Sequence, residues 1–262
     1  MSKKAGVLTL AFDVGGTGIK GALLDEKAHM VSDHLHVQTP HPAPPDRVLP
    51  ILRDLAGRLP RFDRVSVGFP GVVRRGRILT APHLGTVAWH GFRLAEVLAK
   101  EFGKPTRVLN DAEVQGFGVV GGRGLECVLT LGTGIGSAIF HDGLLTPHLE
   151  LGQHPLHKKK TYDEYIGEAA LEAKGHKRWG RRVARTIGVV RTLLNFDVLY
   201  LGGGNSAHLD LDLPKDIKIV SNSAGITGGV RLWDSRNEQL FALPPRRGLA
   251  MHGVVGGKGG DP

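Results

Sequence analysis

Cysteine is nearly missing from this chain: Cys127 is the single thiol in 262 residues, which excludes a disulfide framework and a cysteine zinc cage. It lies in an apolar run, where a buried inert thiol is expected, in keeping with a reducing compartment. Long hydrophobic runs are missing too; no stretch approaches about 18 apolar residues, which argues against a membrane-spanning helix. The opening Met1-Ser2-Lys3-Lys4-Ala5-Gly6 leads straight into a strand-like run without the apolar region of a signal peptide, so a cytoplasmic location is expected. Aromatic residues make up only 6%, and acidic residues are outnumbered 25 to 34 by Lys and Arg, for a net charge of +9. The 41% apolar content is enough for one large α/β domain or two modest lobes.

Glycine, by contrast, is abundant at 38 residues, and two glycine turns dominate. The first is Asp13-Val14-Gly15-Gly16-Thr17-Gly18, with Lys20 and Gly21 following; the second is Leu131-Gly132-Thr133-Gly134-Ile135-Gly136. Each lies between two apolar β-type runs, so each joins two strands. A dinucleotide fingerprint or a Walker loop needs a helix after the glycines, and neither turn has one; Lys20 also misses the Walker spacing. One such turn could be a plain hairpin. Two, each with Thr after Gly, read as a duplicated phosphate clamp, in which glycine permits positive φ and close approach of phosphate oxygens to backbone N–H groups.

Around these turns the pattern predicts strands at 7–13, 21–25 and 29–38, a helix at 46–59, a strand at 65–69, a helix at 92–102, a short strand at 107–109 and a helix from Asp111. The second turn opens a similar series: strands 127–131 and 136–140, helices 162–174 and 177–195, strands 197–201 and 217–221, and a last helix at 224–233. The expected division is an N-terminal α/β lobe at 1–112, a C-terminal lobe at 113–235 whose last helix packs back on the first, and a flexible tail at 236–262. A ligand cleft is expected between the lobes.

Phosphoryl transfer in such a cleft needs a base, a cation site and a means of holding the acceptor. Asp111 sits where a strand gives way to a helix, a place for a base and equally for a helix cap. Asp13 ends the first strand, either holding water on Mg²⁺ or closing an Asx-type turn. Glu150 lies in a polar loop, as a ligand or as a solvated side chain. His148, His154 and His157 match no zinc spacing, so no zinc site is expected. Basic clusters at 74–77, 157–160 and 176–185 suggest an anionic partner or a solvated face; they carry no nucleic-acid-binding signature.

Taken together and in order, Asp13 to Gly18, Gly68-Phe69-Pro70-Gly71, Leu109-Asn110-Asp111-Ala112, Leu131 to Gly136, Glu150-Leu151-Gly152 and Leu201-Gly202-Gly203-Gly204 resemble the ROK-family sugar kinases, especially the short bacterial polyphosphate-using glucokinases. The resemblance runs over about 7–233. It implies an α/β fold of two ribonuclease-H-like, actin/hexokinase-type lobes facing a cleft. It further implies a first phosphate segment at Asp13, Gly15, Gly16, Thr17 and Lys20, and a second at Gly132, Thr133, Gly134 and Gly136, with Gly202, Gly203 and Gly204 near the donor. Asn110, Glu150 and Gly71 would contact the sugar, and Asp111 would be the catalytic base. Gln153 replaces the family's usual His, with neighbouring His154 as a candidate substitute, and His83 stands where relatives often carry Asn. The cysteine-bearing zinc loop of many relatives is missing, and a further sugar-binding acid is Asp163, Glu164 or Glu168.

The implied activity is transfer of a phosphoryl group from polyphosphate, ATP or both to the C6 hydroxyl of glucose or a similar hexose, with Mg²⁺, and a homodimer is expected. The alternative is a catalytically impaired sugar-binding or regulatory member. A basic track at 158–160 and 177–185 would suit polyphosphate.

Overall fold

The computed structural model describes residues 6–242. The chain opens with β1 (Thr9–Val14), β2 (Gly18–Leu24) and β3 (Leu35–Gln38), an antiparallel meander. Helix α1 (Pro45–Gly57) crosses to β4 (Arg64–Phe69), which lies parallel to β1. A small hairpin, β5 (Val73–Arg74) and β6 (Arg77–Ile78), precedes α2 (Thr86–Trp89) and α3 (Leu94–Phe102). Strand β7 (Thr106–Asn110) then pairs parallel with β4 and runs directly into α4 (Asp111–Val119). The first sheet has the order β3-β2-β1-β4-β7.

The second half begins with β8 (Leu125–Leu131) and β9 (Ile135–His141), an antiparallel pair extended by β10 (Leu144–Leu145). The hairpin β11 (Pro155–His157) and β12 (Lys160–Thr161) leads into α5 (Tyr162–Ile166) and α6 (Glu168–Leu194). Strands β13 (Val198–Gly202) and β14 (Ile217–Ile219) add in parallel, giving the order β10-β9-β8-β13-β14. The two sheets therefore share one plan: two antiparallel additions on one side of the central strand and two parallel ones on the other.

Each sheet buries its own core. Leu52 and Leu55 of α1 and Leu94 and Leu98 of α3 pack with Leu10, Val65 and Val108 in the first. Trp179, Val183 and Val190 of α6 pack with Leu129, Leu199 and Leu201 in the second. Helix α4 lies between, joining Val114 and Phe117 to Val128 and Phe140. Side chains of this size contribute about 1.5–3 kcal/mol each on full burial.

The segment after β14 returns to the first sheet through α7 (Ala224–Thr227), a 3-10 turn at Gly228–Trp233, a second at Ser235–Asn237 and α8 (Glu238–Phe241). Ser66 donates to the Gly229 carbonyl at 2.7 Å, and Trp233 Nε1 donates to Ser66 Oγ at 2.8 Å. Arg107 lies 4.3 Å from the Trp233 ring centre and 4.6 Å from that of Phe241, and pairs with Glu238. Gly228 is required by close approach, because a Cβ there would fall 1.9 Å from the Val114 carbonyl oxygen.

Several boundaries differ from the sequence expectation. The strand expected at 29–38 begins only at Leu35, because Leu23 N–H on the neighbouring strand bonds to Ser32 Oγ at 2.9 Å instead of to a backbone carbonyl, and only an isolated Leu24–Met30 bridge forms before it. The helix expected at 162–174 is interrupted at Gly167, whose backbone N–H bonds back to the Asp163 carbonyl. The helix expected at 224–233 is α-helical for one turn and then tightens to 3-10 geometry. The tail expected from 236 is ordered through α8, because Arg107 and the buried Asn237 anchor it. Residues 243–262 of that expected tail, and 1–5, lie outside the described residues. No helix among the described residues is long and apolar enough to cross a membrane.

Candidate functional site

Both glycine turns open onto one cleft of about 400 Å³, within the usual range for small-molecule sites. They touch: Thr17 Oγ1 and Thr133 Oγ1 are 2.9 Å apart. Each turn is closed by a backbone hydrogen bond, Gly15 N–H to Gly18 carbonyl at 2.9 Å and Gly132 N–H to Gly134 carbonyl at 3.0 Å. The expected positive φ is not found, for among the described residues no positive-φ glycine lies in either turn. Proximity is what demands glycine there. A Cβ on Gly134 would lie 2.1 Å from His83 Nε2, and one on Gly136 would lie 2.4 Å from Thr130 Oγ1.

Asp13, Gly15, Gly16, Thr17, Lys20, Gly71, Asn110, Asp111, Gly132, Thr133, Gly134, Gly136, Glu150, Gln153, Gly203 and Gly204 all line this cleft. Lys20 Nζ lies 3.3 Å from Asp13 Oδ2 on the neighbouring strand. The open choice at the start of α4 resolves by division of labour. Asn110 is the cap, its Oδ1 accepting from Ala112 N–H at 2.9 Å while Glu113 Oε2 accepts from Asn110 N–H at 3.1 Å. Asp111, one residue on, shares the Ala112 N–H through its Oδ1 at 2.8 Å and lines the cleft. Asn110 Nδ2 also donates to the Gly71 carbonyl at 3.1 Å, tying the helix start to the Gly68–Gly71 loop.

Burial pushes the Asp111 carboxyl up to about 7, the Asp13 and Glu150 charges adding to the effect while the Ala112 N–H and His83 oppose it. A carboxylate that ionises near neutrality in a cleft has the property of a general base.

On the facing wall Asp163 gathers three donors. Its Oδ1 accepts from Ile135 N–H at 2.7 Å, its Oδ2 accepts from Gln153 Nε2 at 2.7 Å, and His83 Nε2 lies 3.1 Å from Oδ2. The hydrogen bond to Asp163 raises the His83 pKa, burial opposing it. Of the three acids left open by sequence, Asp163 and Glu168 line the cleft. Glu164 does not; its carboxylate accepts the Thr161 N–H in a helix cap.

Two expected site residues fall outside the cleft lining. His154 is exposed and stands beside the Tyr162 ring, 6.4 Å between centres, because the chain turns away into β11 after Gln153. Gly202 still belongs to β13 and is covered by the Gln115 side chain, 2.7 Å from where its Cβ would be. Sequence reading missed Gln115 and Asn205, both on the cleft; Asn205 Nδ2 donates to the Gly132 carbonyl at 3.2 Å. Asn205 directly follows the Gly202-Gly203-Gly204 run, which was a usable signal. In place of a zinc loop, α5 is held by buried Tyr162 and Ile166 and by Trp179 Nε1 donating to the Ile166 carbonyl at 2.8 Å.

The sequence profile described as "ROK family" matches residues 9–154. The polyphosphate glucokinase of Mycobacterium tuberculosis is 30% identical over 233 residues, 82% of this chain and 87% of that protein. The chain belongs to the ROK family. Among solved structures, the inorganic polyphosphate/ATP-glucomannokinase from Arthrobacter sp. strain KM superposes with a TM-score of 0.77 at 30% identity, covering 86% of this chain and 98% of that one. A ROK glucokinase from Streptomyces griseus, solved with glucose and AMPPNP, gives 0.72 at 20% identity over 86% and 98%, a likeness of fold. The expected actin/hexokinase-like architecture is thus the observed one.

Proposed function

We propose that this ROK chain is a hexose kinase that moves a phosphoryl group from polyphosphate or ATP to the C6 hydroxyl of glucose or a similar sugar. The observation that carries the reading is Asp111, a carboxylate shifted to about 7 on a cleft into which both glycine turns open. Asp111 accepts the hydroxyl proton as the sugar oxygen forms a bond to the terminal phosphorus and the bond to the leaving phosphate oxygen breaks. In this reading the turn amides, Thr17 and Thr133 bind phosphoryl oxygens, and Glu150, Asp163 and Gln153 hold sugar hydroxyls; that all of them line one cleft supports it.

The cleft suits Mg²⁺. Asp13 and Asp111 lie close enough for one charge to raise the other carboxyl, and Mg²⁺ is ordinarily held by one or two carboxylates together with substrate phosphates and water. Asp13 would hold it, and its chemistry would be neutralisation of the donor phosphates.

Polyphosphate as donor is supported by a basic surface beside α5. His157 packs on the Tyr165 ring at 5.2 Å, Arg182 lies 4.7 Å from the same ring, and burial together with the charges of Arg185, Lys158 and Arg182 lowers the His157 pKa. The impaired, purely regulatory reading is not favoured, because Gln153, in place of the family His, keeps a 2.7 Å bond to a cleft carboxylate.

The test is formation of glucose 6-phosphate from glucose with each donor in turn. Product from at least one donor is expected, with kcat/KM rising with pH through about 7 as Asp111 loses its proton in the free enzyme. Glucose binding without product from either donor would overturn the reading.

A further inference from the structure

One histidine outside the expected site joins its two halves. His148 lies in the loop before the 3-10 turn Leu151–Gln153, mostly buried. Its Nδ1 is 2.8 Å from Glu113 Oε1, and Glu113 is the residue whose other oxygen closes the Asn110 cap. Its Nε2 is 3.7 Å from Glu150 Oε2, and both of these atoms are buried without a hydrogen-bond partner.

We propose that His148 is a positioning residue, an imidazolium clamp between Glu113 and Glu150 that fixes the cleft carboxylate of Glu150 relative to the helix that begins with Asp111. The inference rests on the hexose-kinase reading and names a device within its acceptor site. With Oε2 turned towards His148, Glu150 has Oε1 left for an acceptor hydroxyl. A buried polar pair held just beyond hydrogen-bond distance is costly, and drawing the two together recovers a charge-assisted bond. Hexose binding at Glu150 supplies the order that closes this gap.

The charged groups facing His148 are Glu113 from α4 and Glu150 from its own loop. Burial lowers its pKa, but the hydrogen bond to Glu113 and the negative charges of Glu113 and Glu150 outweigh it and carry the imidazole up to about 9. The clamp is therefore charged below that pH and is lost as pH rises through it.

His148→Gln keeps a polar side chain but no charge. In a variant that melts like the parent, the hexose KM is expected to rise roughly ten- to a hundredfold, the range for a lost charge-assisted bond, while kcat stays within about threefold. The parent kcat/KM should fall above about 9, a limb absent in His148→Gln and moved to lower pH in Glu113→Gln. An unchanged hexose KM, or an alkaline limb that survives in His148→Gln, would overturn the clamp while leaving the kinase reading intact. Should His148→Gln fail to fold, an NMR titration of His148 in the parent decides: a midpoint near 9 that moves on adding glucose supports the clamp, and an ordinary midpoint near 6.5 or indifference to glucose contradicts it. The glucose response is read without turnover, so it separates this inference from failure of the kinase reading.

Discussion

The two glycine turns are built alike and backed differently. Each joins the first two strands of a sheet with the same strand order and directions, and their threonine hydroxyls meet at 2.9 Å. Behind the first turn stands Asp13, paired with Lys20, and beyond β4 the helix start that carries Asp111. Packed against the second is Asp163, bonded to Ile135 within the turn itself and to Gln153. One architecture used twice brings two glycine turns to one cleft, and the carboxylates stand differently behind each. The turns also differ in tightness: a Cβ on Gly134 would lie 2.1 Å from His83 Nε2 and 2.9 Å from Asp163 Oδ2, whereas the nearest neighbours of one on Gly16 are Thr133 side-chain atoms at 3.1–3.3 Å.

That contrast can be broken by substitution. Gly134→Ala must displace His83 and Asp163 and so disturb the acceptor wall; a loss of about a hundredfold in kcat/KM is expected, the scale of a misplacement near 1 Å. Gly16→Ala asks only that Thr133 shift, and a loss below about tenfold is expected. Equal losses in steady-state assays would mean that the turns are not backed differently. The contact between them is measured by a double-mutant cycle on Thr17→Ala and Thr133→Ala, for which a coupling of about 0.5–1.5 kcal/mol in kcat/KM is expected and strict additivity would deny that the hydroxyls act together. The smallest effect on catalysis lies in the returning segment. Trp233→Phe removes the bond to Ser66 and weakens the stacking of Arg107, costing about 1–2 kcal/mol in denaturant unfolding with kcat nearly unchanged.

Much of this was legible before the fold was seen. Strand-to-strand glycine turns were legible because neither was followed by helical periodicity, and Asn110-Asp111 at a strand end pointed to a residue that lines the cleft. Local sequence could not decide which of the two residues caps α4, since both side chains suit the role; the reciprocal bond with Glu113 decides it. His154 was misplaced because one residue of chain direction after the 3-10 turn carries it out of the cleft. Asp163 could not be told from Glu164 until the cap at Thr161 claimed the latter. The clamp at His148 depends on contact with Glu113, 35 residues earlier, which no local pattern reveals.

The central claim is that Asp111 takes the hexose proton between paired phosphate cradles. Asp111→Asn keeps the shape and removes the base. Its kcat, measured with glucose and whichever donor the parent uses, is expected to fall by about 10²–10⁴-fold with the glucose Kd by calorimetry changed less than about threefold. Turnover close to that of the parent would contradict the account.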